Sequence, residues 1–210
     1  MNSRAFCRLA ISIAAIVVGF TTLAQAGPPL ICHAIDIGQA KTLPWVDLNY
    51  HKGSGSYDLK KLTQDTLAIL DSNPSVLVRM ETLRRATIYA RQDPQVAKEL
   101  LIRLRARAEA PSPAQALAWF DAGYLVEAYK QWFGNEQTNP ASGLDGYGWV
   151  KKAINMRGQD PEMEFAAALI TMMTGPESER RDHANKAKAG AKSDPLLAQN
   201  LSNAPGEFRN

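Results

Sequence analysis

At five junctions ahead of amphipathic stretches an Asn, Asp or Ser stands directly before a proline: Asn73-Pro74, Asp93-Pro94, Ser112-Pro113, Asp160-Pro161 and Asp194-Pro195. Each pair is a helix start signal. The capping oxygen accepts from an orphan N–H of the first turn, while proline at the first helical position gives up only a donor that has no partner there. After Ser112, Gln115 supplies the spacing of a capping box. The stretches behind these starts are amphipathic. Val76, Met80, Leu83, Thr87 and Ala90 share one stripe, Ala97, Leu100, Leu101, Leu104 and Ala108 a second, and Leu117, Phe120, Tyr124, Ala128 and Trp132 a third. Leu59, Leu62, Thr66, Ile69 and Leu70 predict a helix ahead of them, and others are expected over 147–157, 161–174, 178–191 and 195–202. No run alternating β-branched and polar residues follows residue 58, so the chain is expected to be all-α.

The intervals between starts imply helix pairs of roughly 34 to 40 residues, the size of the units from which helical solenoids are stacked. The stretch Gly146-Tyr-Gly-Trp-Val-Lys-Lys-Ala-Ile-Asn-Met-Arg-Gly-Gln-Asp-Pro161 resembles the second helix and terminal proline of a tetratricopeptide unit. Trp119-Phe-Asp-Ala-Gly123 is similar to the aromatic and glycine of its first helix. The resemblance implies antiparallel helix pairs stacked as a short solenoid, a scaffold that binds peptides or partner proteins and carries no catalytic residues of its own. A compact orthogonal α-bundle is the alternative architecture.

The N-terminus predicts a destination. Arg4 and Arg8 flank the apolar run Leu9 to Phe20, and the small-residue tripeptide Ala24-Gln25-Ala26 follows, as in a secretory signal peptide. The run is shorter than the roughly 20 residues needed to cross a bilayer. Residues 1–26 are therefore expected to be removed, leaving a periplasmic or secreted protein with no transmembrane segment. An irregular N-terminal arm is expected over 27–57, rich in proline and glycine, and a helical-repeat domain over 58–210. Within the arm, Pro29 to Gly38 is apolar enough to pack onto a core. The opening Cys32-His-Ala-Ile-Asp-Ile-Gly-Gln-Ala-Lys-Thr-Leu-Pro-Trp45 resembles the mature N-terminus of a group of exported bacterial proteins, which implies export and nothing about chemistry.

Loss of Arg4 and Arg8 lowers the formal charge from +3 to +1, too little for the electrostatic footprint of a nucleic-acid binder. It also removes Cys7 and leaves Cys32 without an internal partner. Cys32, His33, Asp36 and His51 are the residue types of a thiolate or metal site. Adjacent side chains diverge, however, and two ligands do not close a zinc site. Burial of Cys32 is the expected reading, with a thiol or metal centre on Cys32 and His33 as the alternative. No phosphate loop, nucleophile elbow, zinc-protease helix or dinucleotide fingerprint occurs, so neither catalytic residues nor a cofactor is assigned.

Two clusters remain. Between Arg79 and Arg107 eight basic residues face three acidic ones. Arg103, Arg105 and Arg107 spread over about 200 degrees of helix, which predicts a solvated, salt-bridged face rather than an anion site. Eight of the sixteen aromatics lie between Trp119 and Trp149. Phe120, Tyr124 and Trp132 fall on the core stripe of their helix. Tyr129, Phe133 and Trp149 are left over beside the Gly/Asn/Pro-rich loop 134–146, and are expected to form a surface for a protein or peptide partner in the cell envelope. The cleavage expectation has a direct check: the intact mass of exported material should correspond to a chain beginning at Gly27, and retention of residues 1–26 would contradict it.

Overall fold

The computed structural model describes residues 27–46, 53–134, 137–204 and 208; the expected signal peptide and His51 lie outside them. The described chain is all-α, as expected, built from adjacent helices packed as pairs. Its helices are α1 (Pro29–Cys32), α2 (Leu62–Ser72), α3 (Val76–Ala90), α4 (Pro94–Glu109), α5 (Gln115–Phe133), α6 (Gly146–Arg157), α7 (Pro161–Thr174), α8 (Glu177–Gly190) and α9 (Pro195–Asn203). Short 3-10 turns precede α2 and α9.

Three of the five start signals work as the sequence predicts. Asp93 accepts from Gln95 N–H, Asp160 from Glu162 and Met163 N–H, and Asp194 from Leu196 and Leu197 N–H, each with proline at the first helical position. The other two differ. Helix α3 begins at Val76, and its first N–H groups are met from outside: Glu162 of α7 accepts from Val76 N–H at 2.6 Å and Leu77 N–H at 3.2 Å. A carboxylate satisfies the orphan donors and the positive helix end together. The capping box at Ser112 does not form. Helix α5 starts at Gln115, whose side chain reaches back to the Ala108 carbonyl at 3.2 Å.

Helix α3 is the hub. Every residue from Val76 to Ala90 except Arg85 is buried, and α3 packs against α1, α2, α4, α5 and α7. A helix covered on all sides has to bury its charges, and two arginines of the basic run are accordingly found inside rather than on a solvated face. Arg84, 1% exposed, holds Glu81 through two hydrogen bonds of 2.7 and 2.8 Å, and Arg85 adds a third at 2.6 Å. Arg79 pairs with the fully buried Asp121 of α5. Such charges are tolerated only when paired and hydrogen-bonded.

The N-terminal arm is part of this core. Leu30, Ile31, Ile35 and Leu43 are buried, and the backbone between them is held by the charged groups of α3. Arg84 donates to the Ile31 carbonyl at 3.0 Å, Glu81 accepts from Ile35 N–H at 3.0 Å, and Arg85 donates to the Leu43 carbonyl at 2.7 Å. Trp45 lies under both guanidinia and edge-on to Tyr89. Where the arm passes Tyr89 only glycine fits, since a Cβ on Gly53 would lie 2.1 Å from that ring. Further along, Asn200 of α9 exchanges two hydrogen bonds of 2.8 Å with the Asp36 backbone, so the arm joins α3 to the last helix.

Helices α5 and α6 make the closest approach. A Cβ on Gly123 would lie 2.6 Å from the Gly146 carbonyl oxygen, and one on Gly146 2.6 Å from that of Gly123. The two helices therefore meet backbone to backbone. Because neither backbone can yield cheaply, Gly123→Ala should destabilise the protein by about 1 to 3 kcal/mol, and Asp160→Ala by about 1 kcal/mol. Reversible denaturant titration reads both; a Gly123→Ala midpoint equal to the parent's would contradict the close contact.

Candidate functional site

Helix α4 buries only Ala97, Leu100, Leu101, Leu104 and Ala108, which leaves its opposite face to solvent. Beside that face the α5–α6 connection folds back. Asn139, itself buried, donates to the Gly134 carbonyl at 2.8 Å and accepts from Ala141 N–H at 2.9 Å. Leu144 N–H closes a turn on the Ala141 carbonyl at 3.2 Å, and Gly143 takes a φ of +75° that an L side chain rarely adopts. The described part of the loop is thus pinned by its own hydrogen bonds.

Between α4 and this loop runs a cleft of about 520 Å3. Pro94, Lys98, Leu101, Ile102 and Arg105 line one wall at helical spacing, and Asn139, Pro140 and Leu144 the other. Ile102, 54% exposed, places an aliphatic side chain on this concave surface. Lys98 and Arg105 supply positive charge at the rim, and among the described residues no carboxylate belongs to the lining. Arg105 also spans to the neighbouring aromatics. It is bonded to Glu109 at 2.8 Å and sits over the ring of Trp149. Trp149 meets Trp119 edge-on with ring centroids 5.7 Å apart, and Lys152 lies 3.6 Å from the centre of the Trp119 ring. The surface is therefore apolar at its centre and cationic at its edges, with half-buried tryptophans alongside.

The three aromatics predicted to face a partner are divided by the fold. Trp149 is half-buried and borders this surface. Tyr129 and Phe133 do not reach it: they are 0% and 3% exposed, packed with tilted rings 5.1 Å apart, and the Tyr129 hydroxyl donates to the Ala97 carbonyl of α4 at 3.2 Å. This corrects the expectation that they are free for a partner. Helix α5 is covered by α3, α4 and α6, so a single core stripe does not exhaust its apolar contacts.

Cys32 and His33 lie at the end of α1, next to the arm's contact with Arg84. Burial pushes the Cys32 thiol up, with the Arg84 charge opposing, so the site disfavours the thiolate that nucleophilic or metal chemistry requires. Burial lowers the His33 imidazole, Arg84 lowers it further, and Glu81 opposes. Asp36 is engaged elsewhere, accepting from Gly38 N–H at 2.8 Å and from Gln199 at 2.7 Å. Among the described residues no group of three or more His, Cys, Asp or Glu side chains is placed to hold a metal ion.

A cluster that the sequence reading did not anticipate joins α6, α7 and α8. His183 contacts Glu164 through Nδ1 and the Tyr147 hydroxyl through Nε2 at 2.7 Å, and Tyr147 donates to Glu179 at 2.6 Å. Burial, the hydrogen bond to Glu179 and its charge push the Tyr147 phenol far above its ordinary range, so it stays a neutral donor. This chain of carboxylate, imidazole, phenol and carboxylate ties three helices together, and its residues come from three separate segments with no local pattern to announce it.

Comparison with family models, with curated proteins and with solved structures returns no match. No helix among the described residues is long and apolar enough to cross a membrane.

Proposed function

We propose that this is an exported helical scaffold of the cell envelope that holds an extended, acidic peptide segment of a partner protein in the cleft between α4 and the 137–144 loop. One observation carries the reading: the cleft combines exposed Ile102 with Lys98 and Arg105, and no carboxylate lines it among the described residues. An apolar side chain of the peptide would cover Ile102, Leu101 and Leu144, while acidic neighbours would meet the two cations, which gives orientation as well as attraction. Trp149 and Trp119 extend the contact surface past Arg105 with rigid rings that lose little rotamer freedom on binding. The competing reading, a thiol or metal centre on Cys32 and His33, has less support because burial favours the protonated thiol.

The test uses fluorescein-labelled peptides of alternating Asp and Leu, with alternating Lys and Leu peptides as the counter-probe. Fluorescence anisotropy should show binding of the acidic peptide only, weakening with added salt. Ile102→Asp and the double variant Lys98→Glu/Arg105→Glu should each cost about 10- to 100-fold in affinity at unchanged stability, since these side chains are exposed. Equal binding of both peptides, or variants that bind as the parent does, would contradict the proposal.

A further inference from the structure

At the far end of α4 from the peptide cleft lies a separate concavity of about 300 Å3, bounded by the last turns of α2 and α4, the start of α5 and Arg79 of α3. Its polar groups are incompletely satisfied. Arg79 is 4% exposed; its Nη1 donates to Asp121 Oδ2 and its Nη2 to the Leu70 and Asn73 carbonyls, but its Nε–H has no acceptor among the described residues. Arg107 donates to Asp71 through Nη2, while its Nη1, 3.9 Å from Asp121 Oδ2, is buried and also lacks an acceptor. Asp121 Oδ1 in the same cluster also lacks a partner, so it meets neither donor; buried N–H donors of charged groups left unpaired are costly, and two on guanidinia lining one concavity mark a place for a further acceptor. The remaining wall is small and apolar, chiefly Leu70, Leu117 and Ala118.

We propose that this concavity binds a small organic carboxylate, its head on the Arg79 and Arg107 guanidinia and its aliphatic tail on Leu70, Leu117 and Ala118. Each guanidinium contributes one unpaired charged donor, Arg79 Nε and Arg107 Nη1, and a carboxylate has two oxygens to meet them. The volume lies at the lower end of ligand sites, which favours a short-chain acid. The charged groups around it are Arg79 from α3, Arg107 from α4, Asp71 from α2 and Asp121 from α5. Burial pushes the Asp121 carboxyl up to about 6, against the pull of Arg79 and Arg107 and with Asp71 adding to the rise. Below that pH Asp121 is neutral and the two guanidinia face Asp71 alone, so an anion binds more tightly as pH falls. By linkage, the bound anion in turn favours the protonated Asp121.

Isothermal titration with butyrate, propanesulfonate, butylammonium and inorganic phosphate tests the proposal. Butyrate should bind saturably, butylammonium should not bind, phosphate should bind more weakly, and Arg107→Gln should reduce butyrate affinity at least about tenfold. Propanesulfonate stays charged at both pH values and should bind more tightly at pH 5.5 than at pH 7.5. If Arg107→Gln loses its helical circular dichroism, Ala114→Leu at the exposed mouth takes its place, and the same tenfold loss is required. Three results would overturn the proposal: butyrate heats no larger than those of chloride at equal ionic strength, phosphate binding as tightly as butyrate, or a folded variant that binds like the parent. The first would mean that water alone satisfies the two donors.

Discussion

The hydrogen-bonded ion cluster of Glu81, Arg84 and Arg85 organises the rest of the structure. It lies on α3, which is covered by five other helices, and each member also holds a backbone group of the N-terminal arm. Burial alone would raise the Glu81 carboxyl, but the hydrogen bonds and charges of Arg84 and Arg85 outweigh it and keep Glu81 below the usual range, so it remains an anion. Removing Glu81 would leave the buried Arg84 guanidinium uncompensated, at a cost of about 3 to 5 kcal/mol. The arm is thereby fixed as a wall of the core. Through Asp36 and Asn200 it carries that constraint to α9, and through the Leu30 N–H bond to Gln131 it reaches α5.

Once α3 and the arm are fixed, the proposed binding surfaces follow from what remains uncovered. Helix α5 is enclosed by α3, α4 and α6, and its Gly123 contact with Gly146 sets where α6 begins and so where Trp149 stands relative to Trp119. Helix α4 packs on one face only, and its free face supplies Lys98, Ile102 and Arg105 to one cleft and, at its last turn, Arg107 to another. The first cleft has cations at its rim, while the second sets Arg79 and Arg107 against Asp71 and Asp121. The interior meanwhile neutralises its arginines, which leaves the exposed Lys98 and Arg105 as the cations that face solvent at the first cleft.

Much of this was legible in the sequence. Asp93, Asp160 and Asp194 act within their own first turn, so their capping roles could be read from adjacent residues. Asn73 and Ser112 were misread because tertiary partners take over: Glu162, far along the chain, caps α3, and Gln115 turns back to α4. Tyr129 and Phe133 were placed outside by a one-stripe rule that fails for a helix packed on several sides; the apolar and small residues spread around α5 were the available signal. The arginines of the basic run look alike in sequence, and only packing decides that Arg79 and Arg84 are interior while Arg105 is exposed. His183 and Glu164 meet across helices, beyond the reach of any local pattern.

The central claim, that the arm is clamped to α3 by the buried cluster, is tested most directly by native-state hydrogen exchange at the Ile35 amide, which donates to Glu81. The account predicts that this amide exchanges only with global unfolding, at the same free energy as the interior amides of α3, and that Glu81→Gln lowers both together. Exchange at Ile35 as fast as an unprotected amide, while α3 stays protected, would contradict it.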